Sequence, residues 1–319
     1  MTASGGLRFI APAPRLAGDG RAWASELRRI EDLGFHAVAI SEHYSQGWAM
    51  HPLAAMDFAL AATARLRVMP LVINNDLHHP AILAKAIATA DVLSDGRAAL
   101  GLGAGWLADD YRALGADLEP AAVRIARLEE SLRVITAFFD GGEDGRVTHH
   151  GQHYQVTGLE ALPRPVSRPR PPILVGGGGP RMLGVAARHA DVVGLHARLG
   201  PGGFDQAAAA DLTTASIKGK LDLVASAAAQ AARPRPEIEF TCYDVNIGGH
   251  QVTRSRAGFS DYIAANPEAF RDSPVSLHGD VSHCADKLVQ WSQELGITYW
   301  NLGADLAVLA PIVAKLSSS

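Results

Sequence analysis

Apolar residues alternate along this chain between two textures. Short runs rich in small and β-branched residues read as strands buried on both faces. Between them lie longer stretches with apolar residues every three or four positions, the spacing of a helix that covers a core. The pattern predicts a strand over 7–11 and a helix over 20–33, with Trp23, Leu27, Ile30 and Leu33 on one face and Gly34 as its stop. Strands over 37–40, 66–74 and 97–103 then alternate with helices over 52–64, 80–93 and 121–139.

The rhythm breaks over 141–172. RVTHHGQHYQVTGL reads as a hairpin turning at Gly151, and PRPVSRPRPP holds too many prolines for a regular element. Strands resume over 173–175, 191–195, 237–245 and 298–302, with helices over 181–190, 204–232, 281–295 and 305–316. Consecutive parallel strands need helical crossovers. Eight such units predict an α/β fold of the (β/α)8 TIM-barrel type, with the 141–172 excursion between strands four and five. The whole of 1–319 is expected to form one barrel domain. No GxGxxG follows the first strand, so the dinucleotide-binding sheet lacks its key loop.

Composition narrows the function classes. The 319 residues carry 29 basic and 33 acidic side chains, a formal net charge of −4. A dedicated nucleic-acid binder would need a basic face, so none is expected as a partner. Two cysteines, Cys242 and Cys284, suit a reducing compartment better than a disulfide framework. The N-terminus lacks the look of a signal peptide, and no apolar run reaches membrane-spanning length. A cytoplasmic protein with no membrane partner is expected.

Ligand-facing residues of such a barrel stand at the carboxyl ends of strands. Strand two ends in Ser41-Glu42-His43-Tyr44. His43 offers an imidazole to give or take a proton. Glu42 is its candidate partner, although strand alternation turns neighbours to opposite faces. After strand three, Asn74-Asn75-Asp76 offers amides for the edge of a planar heterocycle, and His79-Pro80 also reads as a helix start. After strand four, Gly103, Ala104, Gly105 and Trp106 allow a flat ligand close to the backbone. After strand five, Gly176, Gly177, Gly178 and Gly179 precede Pro180 and Arg181. Strand, glycine loop and helix start together read as a phosphate cradle. His196 and Asn301 end two further strands. No metal site is expected: His78 and His79 are adjacent, and His149, His150 and His153 lack a matching ligand set.

Three segments together resemble the bacterial luciferase-like superfamily: HPAILAKAIATADVLSDGR, LSDGRAALGLGAGWLADDYRALG and PILVGGGGPRMLGVAARHADVVG. LVINND with its following HP, and VTGLEALPRP, resemble the single-component subgroup that uses coenzyme F420, a deazaflavin. The resemblance runs from about residue 7 to 194 and is looser beyond. It implies a TIM barrel with the cofactor at its carboxyl-end mouth, a small-molecule substrate and a homodimer. It implies that His43 acts as acid or base, and that Pro70 and Leu71 stand where some members carry a non-prolyl cis peptide and a bulge. Ala104 and Trp106 match the ring-side segment, and Gly178 and Gly179 the phosphate loop. Glu42-His43 and Trp106 stand where the sugar-phosphate dehydrogenases of the group have Asp-His and Glu, which speaks against sugar-phosphate oxidation. Three readings follow: an F420-dependent hydride-transfer oxidoreductase, a monooxygenase using reduced FMN, and a barrel that binds a cofactor without catalysis. Arg181 and Arg198 are the candidate partners for the anionic tail of F420.

Overall fold

The computed structural model describes residues 6–47, 49–200, 203–254 and 257–317. The strands run β1 Arg8–Pro12, β2 Ala37–Ile40, β3 Arg67–Pro70, β4 Ile73–Asn74, β5 Leu100–Gly103, β6 Arg146–His150, β7 Gln155–Glu160 and β8 Ile173–Gly177. They continue with β9 Val192–Leu195, β10 Glu237–Thr241, β11 Asp244–Ile247, β12 His250–Arg254, β13 Ser276–Gly279 and β14 Ile297–Asn301. Nine of them form one parallel sheet in the order β3-β2-β1-β14-β10-β9-β8-β5-β4. A parallel bridge from Val68 in β3 to Ala98, just before β5, closes the ring. β3 and β4 are two halves of one interrupted strand, so the ring has eight members and is a (β/α)8 barrel. The peptide between Leu71 and Val72, at the interruption, is cis, one residue beyond the position the sequence suggested.

Local chemistry starts the helices where the pattern placed them. Asp19 accepts the Arg21 and Ala22 N–H groups at the start of helix Gly20–Asp32. His51 and His79 cap helices Pro52–Ala62 and Pro80–Leu93, each with proline in its first turn. Alternation along the strands then sorts the core into two parts. Ile10, Ala37, Ala39, Met69, Ala99, Leu174, Val192 and Tyr299 fill the barrel interior. The outward residues pack against the helices in a larger cluster. At the amino-terminal end Arg8 seals the interior, paired with Glu237 at 2.6 Å and hydrogen-bonded to the Tyr299 hydroxyl.

The carboxyl end is built from small residues. Gly101, Gly103, Gly176 and Gly194 stand at inward positions, and Val72 reaches over three of them: a Cβ on Gly103 would lie 2.7 Å from its Cγ2. The excursion is the antiparallel hairpin β6–β7. Glu130 on helix Ala121–Asp140 holds its turn by accepting the N–H groups of Gln152, His153 and Tyr154.

Three boundaries differ from the pattern. The 204–232 stretch is two helices, Gln206–Ala210 and Thr214–Gln230, because Thr213 caps the second by accepting the Ser216 N–H. The 237–245 strand leaves the barrel after Thr241 and resumes as β11 in a separate sheet with β12 and β13. Helix Ala108–Leu114, too short to show helical periodicity, ends at Gly115 with φ of 68°. Among the described residues no helix is long and apolar enough to cross a membrane.

Candidate active site

His43 follows β2 and is half-buried. Its Nδ1 lies 2.8 Å from Oδ2 of Asp110, a buried carboxylate on helix Ala108–Leu114. The other Asp110 oxygen accepts the Tyr44 and Ser45 N–H groups and the Ser45 hydroxyl, at 3.0, 2.7 and 2.6 Å. Burial works against the charge of Asp110, but the hydrogen bonds from Ser45 and His43 overcome it and hold the carboxyl below its ordinary range. An ionised Asp110 assigns the ring proton to Nδ1, so Nε2 carries the lone pair.

Alternation separates Glu42 from His43. Glu42 is buried, and its oxygens accept from the Tyr44 hydroxyl at 3.0 Å, the Asn74 N–H at 2.7 Å and His78 Nε2 at 2.7 Å. It braces the loop after β4 and makes no contact with His43 of the kind Asp110 makes. Asn74 is likewise engaged: its Oδ1 accepts from the Tyr111 hydroxyl and the Asp76 N–H. Asn75 is fully buried. Pro70 turns its carbonyl toward Gly101, and Leu71 packs on the interior cluster. The Ala104 carbonyl accepts from Arg124 at 2.9 Å and the Gly105 carbonyl accepts from the same guanidinium; Gly105 has φ of 73°, and a Cβ there would strike Tyr111 and Asn74.

A wall of rings runs away from His43. Trp106 meets it edge-on at 6.2 Å, Phe204 meets Trp106 at 6.2 Å, and Tyr243 meets Phe204 at 5.6 Å. The Tyr243 hydroxyl lies 3.2 Å from Nδ1 of His196, at the carboxyl end of β9. A cavity of about 520 Å³ opens by the ends of β1 and β2, where apolar residues such as Pro12, Ile40, Met50 and Leu306 are interleaved with the charged Arg15, Glu26, Arg29 and Asp305.

The four glycines of the cradle divide in two. Gly177 and Gly178 serve packing: a Cβ there would strike Met182 and the backbone of residues 196–198. Gly179 meets only the Arg198 side chain, at 3.6 Å, so its outer side is open. It begins helix Pro180–His189, whose first turn has no side-chain cap, leaving N–H donors for an anion. Arg181 and Arg198 are exposed beside it. Gly176 lies under Val72 and His196. Asn301 caps its own turn, accepting the Gly303 N–H at 3.2 Å.

The histidines of the excursion have other partners. His149 pairs with Glu130 at 3.1 Å and His150 with Gln155 at 3.0 Å. No metal-ligand cluster occurs among the described residues. The sequence missed Asp110, Tyr243 and Glu239, a buried β10 carboxyl. Asp110 lies within the quoted ADDYRALG run, where Asp109 and Asp110 look alike until the helix turns one inward.

A family model described as luciferase-like monooxygenase matches residues 11–299. An F420-dependent glucose-6-phosphate dehydrogenase of Kineococcus radiotolerans is 32% identical over 169 residues, 51% of this chain and 48% of that protein. An FMNH(2)-dependent dimethylsulfone monooxygenase of Pseudomonas putida is 30% identical over 165 residues, 50% of this chain and 44% of that protein. The aligned part is thus about half the length of the curated relatives it matches. An F420-dependent secondary alcohol dehydrogenase, solved with an F420-acetone adduct, superposes with a TM-score of 0.73 over 97% of each chain at 16% identity, which shows the shared fold.

Proposed function

Because the chain belongs to the luciferase-like monooxygenase family, we propose that it is an oxidoreductase that moves a hydride between coenzyme F420 and a small organic substrate in the barrel mouth. The observation that carries this reading is a carboxylate-oriented imidazole on the same rim as an uncapped, glycine-led helix start. The residues fit the cofactor. The free N–H groups of helix Pro180–His189 would take its phosphate, and Gly179 leaves the approach open. Arg181 and Arg198 would meet the anionic tail. When bound, the deazaflavin supplies a carbon that accepts or donates a hydride.

The chain's own residues do the rest. Nε2 of His43 takes the hydroxyl proton from a substrate being oxidised, and Asp110 holds the ring and stabilises the imidazolium that forms. Trp106 and Phe204 exclude water beside His43. The aromatic wall beside His43 favours a substrate with an apolar flank over a sugar phosphate. We further infer a homodimer, supported by the apolar outer faces of helices Pro52–Ala62 and Pro80–Leu93, where Phe58 and Ile82 are exposed. A cytoplasmic location belongs to the same reading.

Titrating the purified protein with F420 and, separately, with FMN, following cofactor fluorescence, tests the proposal. Tight binding of F420 in preference to FMN is expected. Preferential FMN binding, with oxygen consumption coupled to reduced FMN, would replace it with the monooxygenase reading, which the match to the dimethylsulfone enzyme favours. Binding of neither would overturn both.

A further inference from the structure

β10 stands three places from β2 in the ring. It turns Glu239 into the barrel one layer above the Arg8–Glu237 seal, with no solvent exposure. One carboxyl oxygen, Oε1, accepts the Thr241 hydroxyl at 3.2 Å. The other, Oε2, is buried and has no hydrogen-bond partner among the described residues. The space beside it exists because residue 194 is glycine: a Cβ there would come within 3.2 Å of Oε2. Nε2 of His196 lies 3.7 Å away, and Nδ1 of the same ring reaches the Tyr243 hydroxyl at 3.2 Å. Tyr243 belongs to the aromatic wall that leads through Phe204 and Trp106 to His43. A series of polar groups thus runs from the buried Glu239 through the half-buried His196 to the wall of the mouth, with a 3.7 Å gap between the first two and one orphan oxygen at its inner end.

An ionised carboxylate at such a place would be heavily penalised, because among the described residues no donor lies within hydrogen-bond distance of Oε2. A carboxylic acid suits the place, since its Oε2 hydrogen faces the lone pair of a neutral imidazole. We propose that Glu239 and His196 share one proton and form a second proton-exchange site of the mouth, separate from His43 and Asp110, for a ligand group that gains negative charge as the reaction proceeds. The inference rests on the hydride-transfer reading. In the oxidation of a carbinol, a bound deazaflavin would supply the carbon that takes the hydride with its electron pair, and the hydroxyl proton would go to His43, leaving one negative charge to be balanced on the cofactor side. The Glu239 proton passes to Nε2 of His196 as the Nδ1 proton leaves through the Tyr243 hydroxyl, and cancels that charge. Two hydrogens have left the substrate, one as hydride and one as proton. His43 returns its proton to water, and Glu239 is reprotonated from water by the reverse path.

The surroundings agree. Burial pushes Glu239 up to about 8, against the pull of the Thr241 hydroxyl. Burial, with the nearby charge of Lys220, lowers His196 to about 4. Lys220 donates to the His196 carbonyl at 2.9 Å and is paired with Asp211. Cys242 and Tyr243 face the same carboxyl from the end of β10, and burial pushes both further up, out of the titrating range. Both shifts favour the uncharged acid and the uncharged imidazole around neutral pH.

Infrared titration of the ligand-free protein, with Glu239→Gln as the reference, tests the shared proton without any cofactor. The C=O stretch of a buried carboxylic acid is expected at neutral pH. It should be absent in Glu239→Gln and lost as the pH rises through about 8. Nitrogen-15 spectra of His196 in the wild-type protein, which need no variant to fold, should show a neutral ring protonated on Nδ1. An ionised Glu239 or a charged His196 at neutral pH would overturn the proposal. In the loaded enzyme, the limb of the pH–rate profile near 8 should disappear in Glu239→Gln. An unchanged profile would also overturn it, since a merely structural carboxyl leaves the profile in place. The infrared band is read before cofactor is added, so failure of the F420 reading and failure of the shared proton are seen separately.

Discussion

His43 is set by a carboxylate that reaches it from a helix between β5 and β8, and this coupling makes the site testable one side chain at a time. His43→Gln should lower kcat by about 10²–10⁴-fold with cofactor affinity little changed, because general acid–base chemistry contributes on that scale. Asp110→Asn keeps the shape but not the charge that favours the Nδ1 proton. It should lower kcat in the same direction and leave F420 fluorescence titrations near those of the wild type. A large loss of cofactor affinity in either variant would show that the pair serves binding instead. At the other end of the barrel, His36 is pushed down to about 4 by burial and by the charges of Arg8 and Arg67. An unfolded chain takes up that proton below its ordinary 6.5, while the folded one does so only near 4. Stability therefore falls as pH drops across that window. Thermal melts at stepped pH should show a shallower acid decline in His36→Asn than in the wild type.

The glycine loop shows how one element answers to two demands. Gly178 lets the loop after β8 press on the backbone after β9, and Lys220 ties that backbone down from helix Thr214–Gln230. Gly179 faces the open side. Gly178→Ala should cost about 1–3 kcal/mol of stability, the usual range for overpacking a tight contact. Gly179→Ala should fold normally, and its effect should appear in cofactor binding. Denaturant melts of the two variants separate the roles, and equal melts would refute the division. Strand alternation has a similar double effect at β2: it sends Glu42 behind the barrel to His78 and leaves His43 at the mouth.

At the scale of the molecule, the ring closes through the Val68–Ala98 bridge, and the predicted site residues lie at the carboxyl ends of strands or in the loops that follow, with Arg181 in the first turn of the next helix. Helices Pro52–Ala62 and Pro80–Leu93 are apolar around much of their circumference, with Ile82 71% and Leu93 82% exposed. Sedimentation should show a dimer in the wild type, and Ile82→Glu should shift it toward monomer with the barrel intact. A monomeric wild-type protein would remove the dimer from the proposed function.

Periodicity, proline and glycine already specified the barrel, the excursion over 141–172 and the strand-end residues His43, Trp106 and Gly176. Those features follow from local rules: burial on both faces of a strand, a helix stripe, a turn residue. What needed the fold was the pairing of groups distant in sequence. Asp110 is 67 residues from His43. Tyr243 is 47 residues from His196. A carboxylate in an acidic dipeptide and a carboxyl within a strand carry no local mark of their partners. Only closure of the ring, which brings the carboxyl ends of distant strands to one rim, decided which of them orients an imidazole and which is left with an unpaired oxygen.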